Sequence, residues 1–290
     1  MGPPGVTVED GPRSAAPPPD ATPDMATSRR RRRVPLALAG FWLAVFAWLL
    51  LNMQARGVDA SVLESGPAVR VSTSGADLAF TPVPDTAGAG LLFYPGALAD
   101  PEAYAPMARA VAEAGYEVVL VTLPYRLAPF ARHRERLAAR TLARLSEGGG
   151  RAYVIGGHSK GGALAAEFAA AHEAEVAGLL LVGTSHPRED DLSALTIDVA
   201  KVYGTEDGLA SEAEVRQFAV NLPEATHWTR VEGGNHAQFG WYGWQLGDGR
   251  ATISRTEQQA RTVRAVVDQL RRVDARTRRT GSARREPVAP

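Results

Sequence analysis

The sequence predicts an α/β domain whose mostly parallel sheet carries helices on both faces, preceded by one transmembrane helix. Three observations predict it. From Leu91 onward short apolar runs alternate with amphipathic or alanine-rich stretches, the pattern of strands joined by crossover helices. Val176 to Gly183 is an almost unbroken apolar run, as a parallel strand covered on both faces requires. Finally, Val34 to Leu51 is uncharged and apolar and directly follows five arginines, Arg29 to Arg33.

The elements follow from the N-terminus. Residues 1–33 read as a disordered cytoplasmic segment: as far as Ser28 they are rich in Pro, Gly, Ser, Thr and Asp with few aliphatics, too few to offset the entropy of ordering. At ~1.5 Å per residue the run 34–51 reaches about 27 Å, just enough for a hydrocarbon core of roughly 30 Å. Only Arg56 competes with the arginine cluster beyond the run. The positive-inside tendency therefore places the folded domain outside the cytoplasm, on a single-pass anchor in the cell membrane. A cleaved signal peptide is the rival reading. The run stays bulky to its end at Trp48 and three leucines, and Asn52-Met53-Gln54-Ala55 offers no small-x-small site, which favours an uncleaved anchor.

Residues 52–65 read as a linker, 66–272 as the folded domain and 273–290 as a disordered basic tail without apolar periodicity. Within the domain, Val69–Ser72 and Asp77–Pro82 form extended segments around a Ser74-Gly75 turn. Strands follow at 91–94, 117–123, 152–155, 176–183, 198–203 and 228–232. Helices fall at 101–114, capped by Asp100, and at 130–145, 161–171 and 212–219. The last helix presents Val263, Val266, Val267 and Leu270 on one face. Its start at Ser254-Arg255-Thr256-Glu257 matches a capping box.

Composition removes several function classes. Lys plus Arg and Asp plus Glu both number 32, for zero formal net charge, so no electrostatic argument points to nucleic acid. The absence of cysteine excludes disulfides, thiolate metal sites and a cysteine nucleophile. No HExxH or close His and carboxylate cluster is present, and no cofactor or metal is expected.

Chemistry concentrates at Tyr153-Val154-Ile155-Gly156-Gly157-His158-Ser159-Lys160-Gly161-Gly162. An apolar strand runs into G-x-S-x-G and then an alanine-rich helix, the setting that makes this pattern a nucleophile elbow. Gly157 and Gly161 lack the Cβ atoms that would collide as the chain reverses, and Ser159 is exposed above the strand ends. An anion-binding glycine loop is the bland alternative, but neither GxxxxGK[ST] nor GxGxxG spacing is present, and no serine begins S-x-x-K. A serine hydroxyl needs a base, and the base an orienting carboxylate. Asp207, in Thr205-Glu206-Asp207-Gly208, is the candidate carboxylate, with Glu206 as competitor. His236, in Glu232-Gly233-Gly234-Asn235-His236, is the candidate base. His133 and His172 fall on helices, His158 within the elbow, and His186 and His227 near strand ends. Backbone N–H groups of Ala97, in the loop after LLFYP, and of Lys160 are the candidate oxyanion hole.

With these parts in the order Ser, Asp, His, the region from about Val69 to Val273 resembles the α/β-hydrolase superfamily. FYPGALADPEAYAPMARAVAEAGYEVV, GGHSKGG, VYGTEDGL and EGGNHAQFGWYGWQLGDG are similar to a bacterial group of secreted or membrane-bound hydrolases related to dienelactone hydrolase. The resemblance implies the α/β-hydrolase fold and a catalytic triad, but Ser159 stands where dienelactone hydrolases have cysteine, so lactone hydrolysis is not carried over. Only about fifteen residues separate the strand ending at Gly183 from that beginning near Asp198, too few for a helical lid. The aromatics Phe239, Trp241, Tyr242 and Trp244 either wall the site or pack against the last helix. The expected function is hydrolysis of small or medium carboxylic esters by a serine esterase outside the membrane. An acyltransferase, thioesterase or peptidase would use the same residues, and a non-catalytic binding protein could share the scaffold.

Overall fold

The computed structural model describes residues 1, 2 and 5, 25–86 and 88–283, with the backbone course alone given for 25–37 and 280–283. The chain divides into Met1–Phe46 and Ala47–Pro290. Helix α1, Met25–Asn52, contains the arginine cluster and the apolar run; helix thus begins within the segment expected to be disordered, whose residues 6–24 lie outside the described ones. Among the described residues no helix is long and apolar enough to cross a membrane, so the expected transmembrane helix is not found as such. The part of the run with described side chains, 38–51, reaches only about 21 Å at 1.5 Å per residue, short of roughly 30 Å.

The domain is built on one eight-stranded sheet in the order β1-β2-β4-β3-β5-β6-β7-β8. β1 (Val69–Ser74) and β2 (Asp77–Pro82) form an antiparallel hairpin, and β2 also pairs antiparallel with β4 (Glu117–Leu120). From β4 the sheet is parallel through β3 (Ala89–Tyr94), β5 (Ala152–His158), β6 (Gly178–Val182), β7 (Asp198–Gly204) and β8 (His227–Val231). The strand pleat sends alternate side chains into two cores. Leu91 and Phe93 join α2 (Ala105–Glu113) and α6 (Arg255–Ala283) on one face. Leu92 and Tyr94 join α3 (Ala131–Glu147) and α4 (Lys160–Ala171) on the other. The expected parallel sheet with helices on both faces is therefore present. A short helix, α5 (Glu212–Gln217), starts at a full capping box between Ser211 and Glu214.

Both flanks differ from their expected form. The linker 52–65 is tied to the domain: Met53 is buried, Asp100 N–H donates to the Met53 carbonyl at 2.9 Å, and Gly243 N–H donates to the Asn52 carbonyl at 2.8 Å. The tail read from 273 onward is helical to Ala283. Val273 is buried in the core, and Asp274 accepts the Gly88 N–H at 3.0 Å, which holds the extra turns although their sequence lacks an apolar stripe. Residues 284–290 lie outside the described ones.

Candidate active site

The elbow is set by close approach of backbone. A Cβ on Gly157 would collide with the Gly161 carbonyl group, and one on Gly161 with the carbonyl oxygens of Tyr94 and Pro95. Only glycines let β5, α4 and the loop after β3 meet at this point. Between them Ser159 is held at φ 53°, ψ −119°, a conformation costing an L-residue on the order of 1–3 kcal/mol. Its N–H donates to the Val182 carbonyl at 2.9 Å, so pairing with the end of β6 helps to hold the turn.

Asp207 and His236 come together from loops after neighbouring strands. Gly204 ends β7 so close to Gly234 that a Cβ would strike that backbone. Glu206 N–H donates to the Gly234 carbonyl at 2.8 Å. The Asp207 and His236 side chains are 0% and 1% exposed, and Nδ1 lies 2.9 Å from Oδ2 and 3.1 Å from Oδ1. Leu209 and Ala210 donate their N–H groups to Asp207 Oδ1 at 2.9 and 2.7 Å. A carboxylate that already receives two backbone donors presents its remaining capacity to the imidazole, which fixes the proton on Nδ1 and leaves Nε2 as the acceptor. Glu206, the competitor, is exposed, and among the described residues its carboxylate meets only the Thr205 hydroxyl.

The imidazole stands beside the elbow, its ring centroid 4.4 Å from that of His158, the residue before Ser159. Nε2 of His236 is buried without a hydrogen-bond partner, and no hydrogen bond joins it to the Ser159 hydroxyl among the described residues. Such bonds commonly close only when substrate is present. The other histidines lie elsewhere: His133 against Tyr125 and Phe130, His172 against Phe168, and His227 exposed 3.8 Å from Asp198. His186 is half-buried, and its carbonyl accepts the Lys201 ammonium at 2.6 Å.

In the loop after β3, Leu98 donates its N–H to the Arg126 carbonyl at 2.6 Å and Ala99 to that of Gly96 at 3.2 Å. Gly96 N–H is taken by the Tyr104 hydroxyl at 3.0 Å. The intervening Ala97 N–H and that of Lys160, first residue of α4, make no hydrogen bond among the described residues. Both are donors free to receive an oxyanion.

Two parts of the site escaped the sequence. Asp248 accepts N–H groups from His236 at 3.1 Å, Ala237 at 2.8 Å and Gly208 at 3.2 Å, clamping the histidine loop to the acid loop. Within Gly247-Asp248-Gly249 it reads as an ordinary turn. Tyr104 and His158 form a buried pair at 2.9 Å that no local pattern announces. Of the four aromatics, Phe239 and Tyr242 pack around His158 at 5.6 and 6.4 Å between ring centroids. Trp241 is partly buried below the Arg255 guanidinium, and Trp244 is exposed. No helix occurs between β6 and β7. A hollow of about 250 Å³ lined by Leu137, Leu164 and Phe168, between α3 and α4, borders none of Ser159, Asp207 or His236.

A strand-turn-helix serine and a buried histidine–carboxylate pair at the C-terminal ends of a parallel sheet define the hydrolase class of α/β proteins. The chain belongs to the alpha/beta hydrolase family, whose match spans residues 90–260. No curated protein matches it. Among solved structures, it is similar to a predicted CIB-like hydrolase from Thermoplasma acidophilum, with 19% identity and TM-score 0.54 over 71% of this chain and 100% of that one. It is also similar to a soluble variant of monoglyceride lipase from Saccharomyces cerevisiae, with 12% identity and TM-score 0.55 over 75% and 98% of the two chains. A bacterial membrane phospholipase A follows with 15% identity and TM-score 0.52 over 85% and 99%. At these identities the likeness is one of fold.

Proposed function

We propose that the chain is a serine esterase that hydrolyses small or medium carboxylic esters through an acyl-enzyme on Ser159. The observation that carries the reading is the buried Asp207–His236 pair, its imidazole against His158, with the next residue, Ser159, in the strained elbow conformation. Ser159 Oγ attacks the ester carbonyl carbon as His236 Nε2 takes its proton, and Asp207 stabilises the imidazolium through Nδ1. The N–H groups of Ala97 and Lys160 receive the oxyanion. Collapse breaks the bond to the alcohol oxygen, which leaves with the proton from His236. Water, deprotonated by the same nitrogen, then attacks the acyl carbonyl, and His236 returns the proton to Ser159 as the acid departs. The absence of a helix between β6 and β7 supports small and medium substrates over long acyl chains held under a lid. Turnover of p-nitrophenyl esters of graded chain length tests this. The proposal expects a maximum at short or medium chains and loss of turnover in Ser159→Ala, and it fails if that variant keeps full activity.

The second part of the proposal is location: α1 attaches the protein to the cell membrane with the domain on the extracytoplasmic side. It rests on Arg29 to Arg33 before the apolar run and on Leu38, Phe41, Trp42, Leu43, Phe46 and Leu51, all exposed along the helix, where apolar side chains have reason to seek lipid. External protease added to cells opened at any outer barrier should digest the domain. Protection of the domain would reverse the orientation, and mature protein beginning near Arg56 would show a cleaved signal.

A further inference from the structure

The Tyr104 hydroxyl lies at the junction of three catalytic parts. It accepts the Gly96 N–H at 3.0 Å, one residue before the free Ala97 N–H. It stands 2.9 Å from His158 Nδ1, one residue before Ser159. The His158 ring in turn lies 4.4 Å from that of His236. All three side chains belong to residues exposed by no more than 1%, so no solvent replaces a lost contact.

We propose that Tyr104 is a positioning residue that acts through His158, holding the oxyanion loop, the elbow and the His236 ring in one arrangement. Hydrogen-bond accounting assigns the roles. Gly96 N–H can only donate, so the hydroxyl accepts there, and its proton and second lone pair remain for His158 Nδ1 in either neutral tautomer of that ring. Burial, with the neighbouring His236, pushes the His158 pKa well below its ordinary value, in keeping with that neutral form. A neutral ring is what the site needs: His236 becomes imidazolium in the transition state, and a second cation 4.4 Å away would oppose that charge.

The ring has nowhere else to go. A Cβ on Gly96 would meet His158 Nδ1 and the Tyr104 hydroxyl, both at 3.1 Å, and one on Gly183 would meet His158 Nε2 at 2.9 Å. Phe239 and Tyr242 close the remaining sides at 5.6 and 6.4 Å between centroids. Tyr104→Phe keeps the ring packed on Phe93 at 5.3 Å and removes only the hydroxyl, leaving the Gly96 N–H and His158 Nδ1 unpaired.

The inference rests on the esterase reading and is tested in the full-length protein with a soluble p-nitrophenyl ester. Tyr104→Phe should lower kcat about tenfold or more while KM stays within about threefold, because transition-state positioning is lost and ground-state binding is not. His158→Asn, which keeps an acceptor for the hydroxyl, should retain more activity than His158→Leu. Adding Tyr104→Phe to His158→Leu should cost less than about twofold more, the non-additivity expected of two residues acting as one unit. A folded Tyr104→Phe with kcat within about threefold of the parent overturns the proposal, as do fully additive effects of the two substitutions. Loss of folding in Tyr104→Phe leaves the two His158 variants to decide, and equal activity in them overturns it. Full turnover by Ser159→Ala would instead remove the esterase reading itself.

Discussion

Replacing Asp207 by Asn changes one atom and should nearly abolish turnover. Oδ1 of Asp207 receives the N–H groups of Leu209 and Ala210 at 2.9 and 2.7 Å, so the amide oxygen of Asn takes that position and its NH2 faces His236. An NH2 cannot accept the Nδ1 proton. The imidazole must then carry its proton on Nε2, the nitrogen that should accept from Ser159. The wrong tautomer and loss of a carboxylate beside the imidazolium together cost about 10⁴ in kcat in a comparable triad, equivalent to about 5.5 kcal/mol. Steady-state kinetics on a soluble ester near pH 8, with a thermal melt to establish folding, measures it. Glu206→Gln is the internal control and should stay within about twofold, since an exposed group away from the imidazole carries little of the barrier. Folded Asp207→Asn with activity within tenfold of the parent would refute the reasoning, and a loss in Glu206→Gln would move the acid to that residue.

Other consequences follow from particular contacts. Asp248→Ala frees three N–H groups in the acid and histidine loops and should lower kcat on the order of 10- to 100-fold through misplacement of His236; unchanged kcat would make the clamp irrelevant to turnover. A chain beginning at Asn52 should keep the thermal midpoint of the domain, whereas one beginning at Ser65 loses buried Met53 and its backbone ties and should be less stable by about 2–5 kcal/mol, as a denaturant titration would show. Lys201 is fully buried, and burial pushes its pKa down to about 7. Between about pH 7 and pH 10 the unfolded chain therefore binds a proton that the folded chain lacks, and this group's contribution makes stability rise with pH there. Below that window the folded protein bears the full penalty of a buried charge. Lys201→Met should remove a pH slope of up to about 1.4 kcal/mol per unit across the window; parallel stability curves for the two proteins would contradict it.

Local pattern made the centre of the site legible and tertiary contact hid its supports. The elbow could be read because its requirements are consecutive: an apolar strand, glycines flanking Ser159 and a small-residue helix. The meeting of Asp207 with His236 was foreshadowed because each falls in a glycine-bearing loop after a strand, Gly208 following Asp207 and Gly233-Gly234 preceding His236 closely. Asp248 could not, since its role depends on donors from Gly208 and His236 that meet only in the folded chain. Tyr104 sits in a stretch read as ordinary helix, and its partners Gly96 and His158 lie in separate loops. The flanks failed for a related reason: Met53 and Val273 are single apolar residues beside polar or charged neighbours, yet each is buried against the domain.

The proposed esterase stands or falls with Ser159 as the nucleophile, made reactive by His236. Treating the purified full-length protein with a fluorophosphonate and mapping the adduct by peptide mass spectrometry tests it most directly. One stoichiometric adduct should form on Ser159, lost in Ser159→Ala and formed more than about a thousandfold more slowly in folded His236→Ala. An adduct on another residue, or none on Ser159 in a protein that still turns over esters, would contradict it.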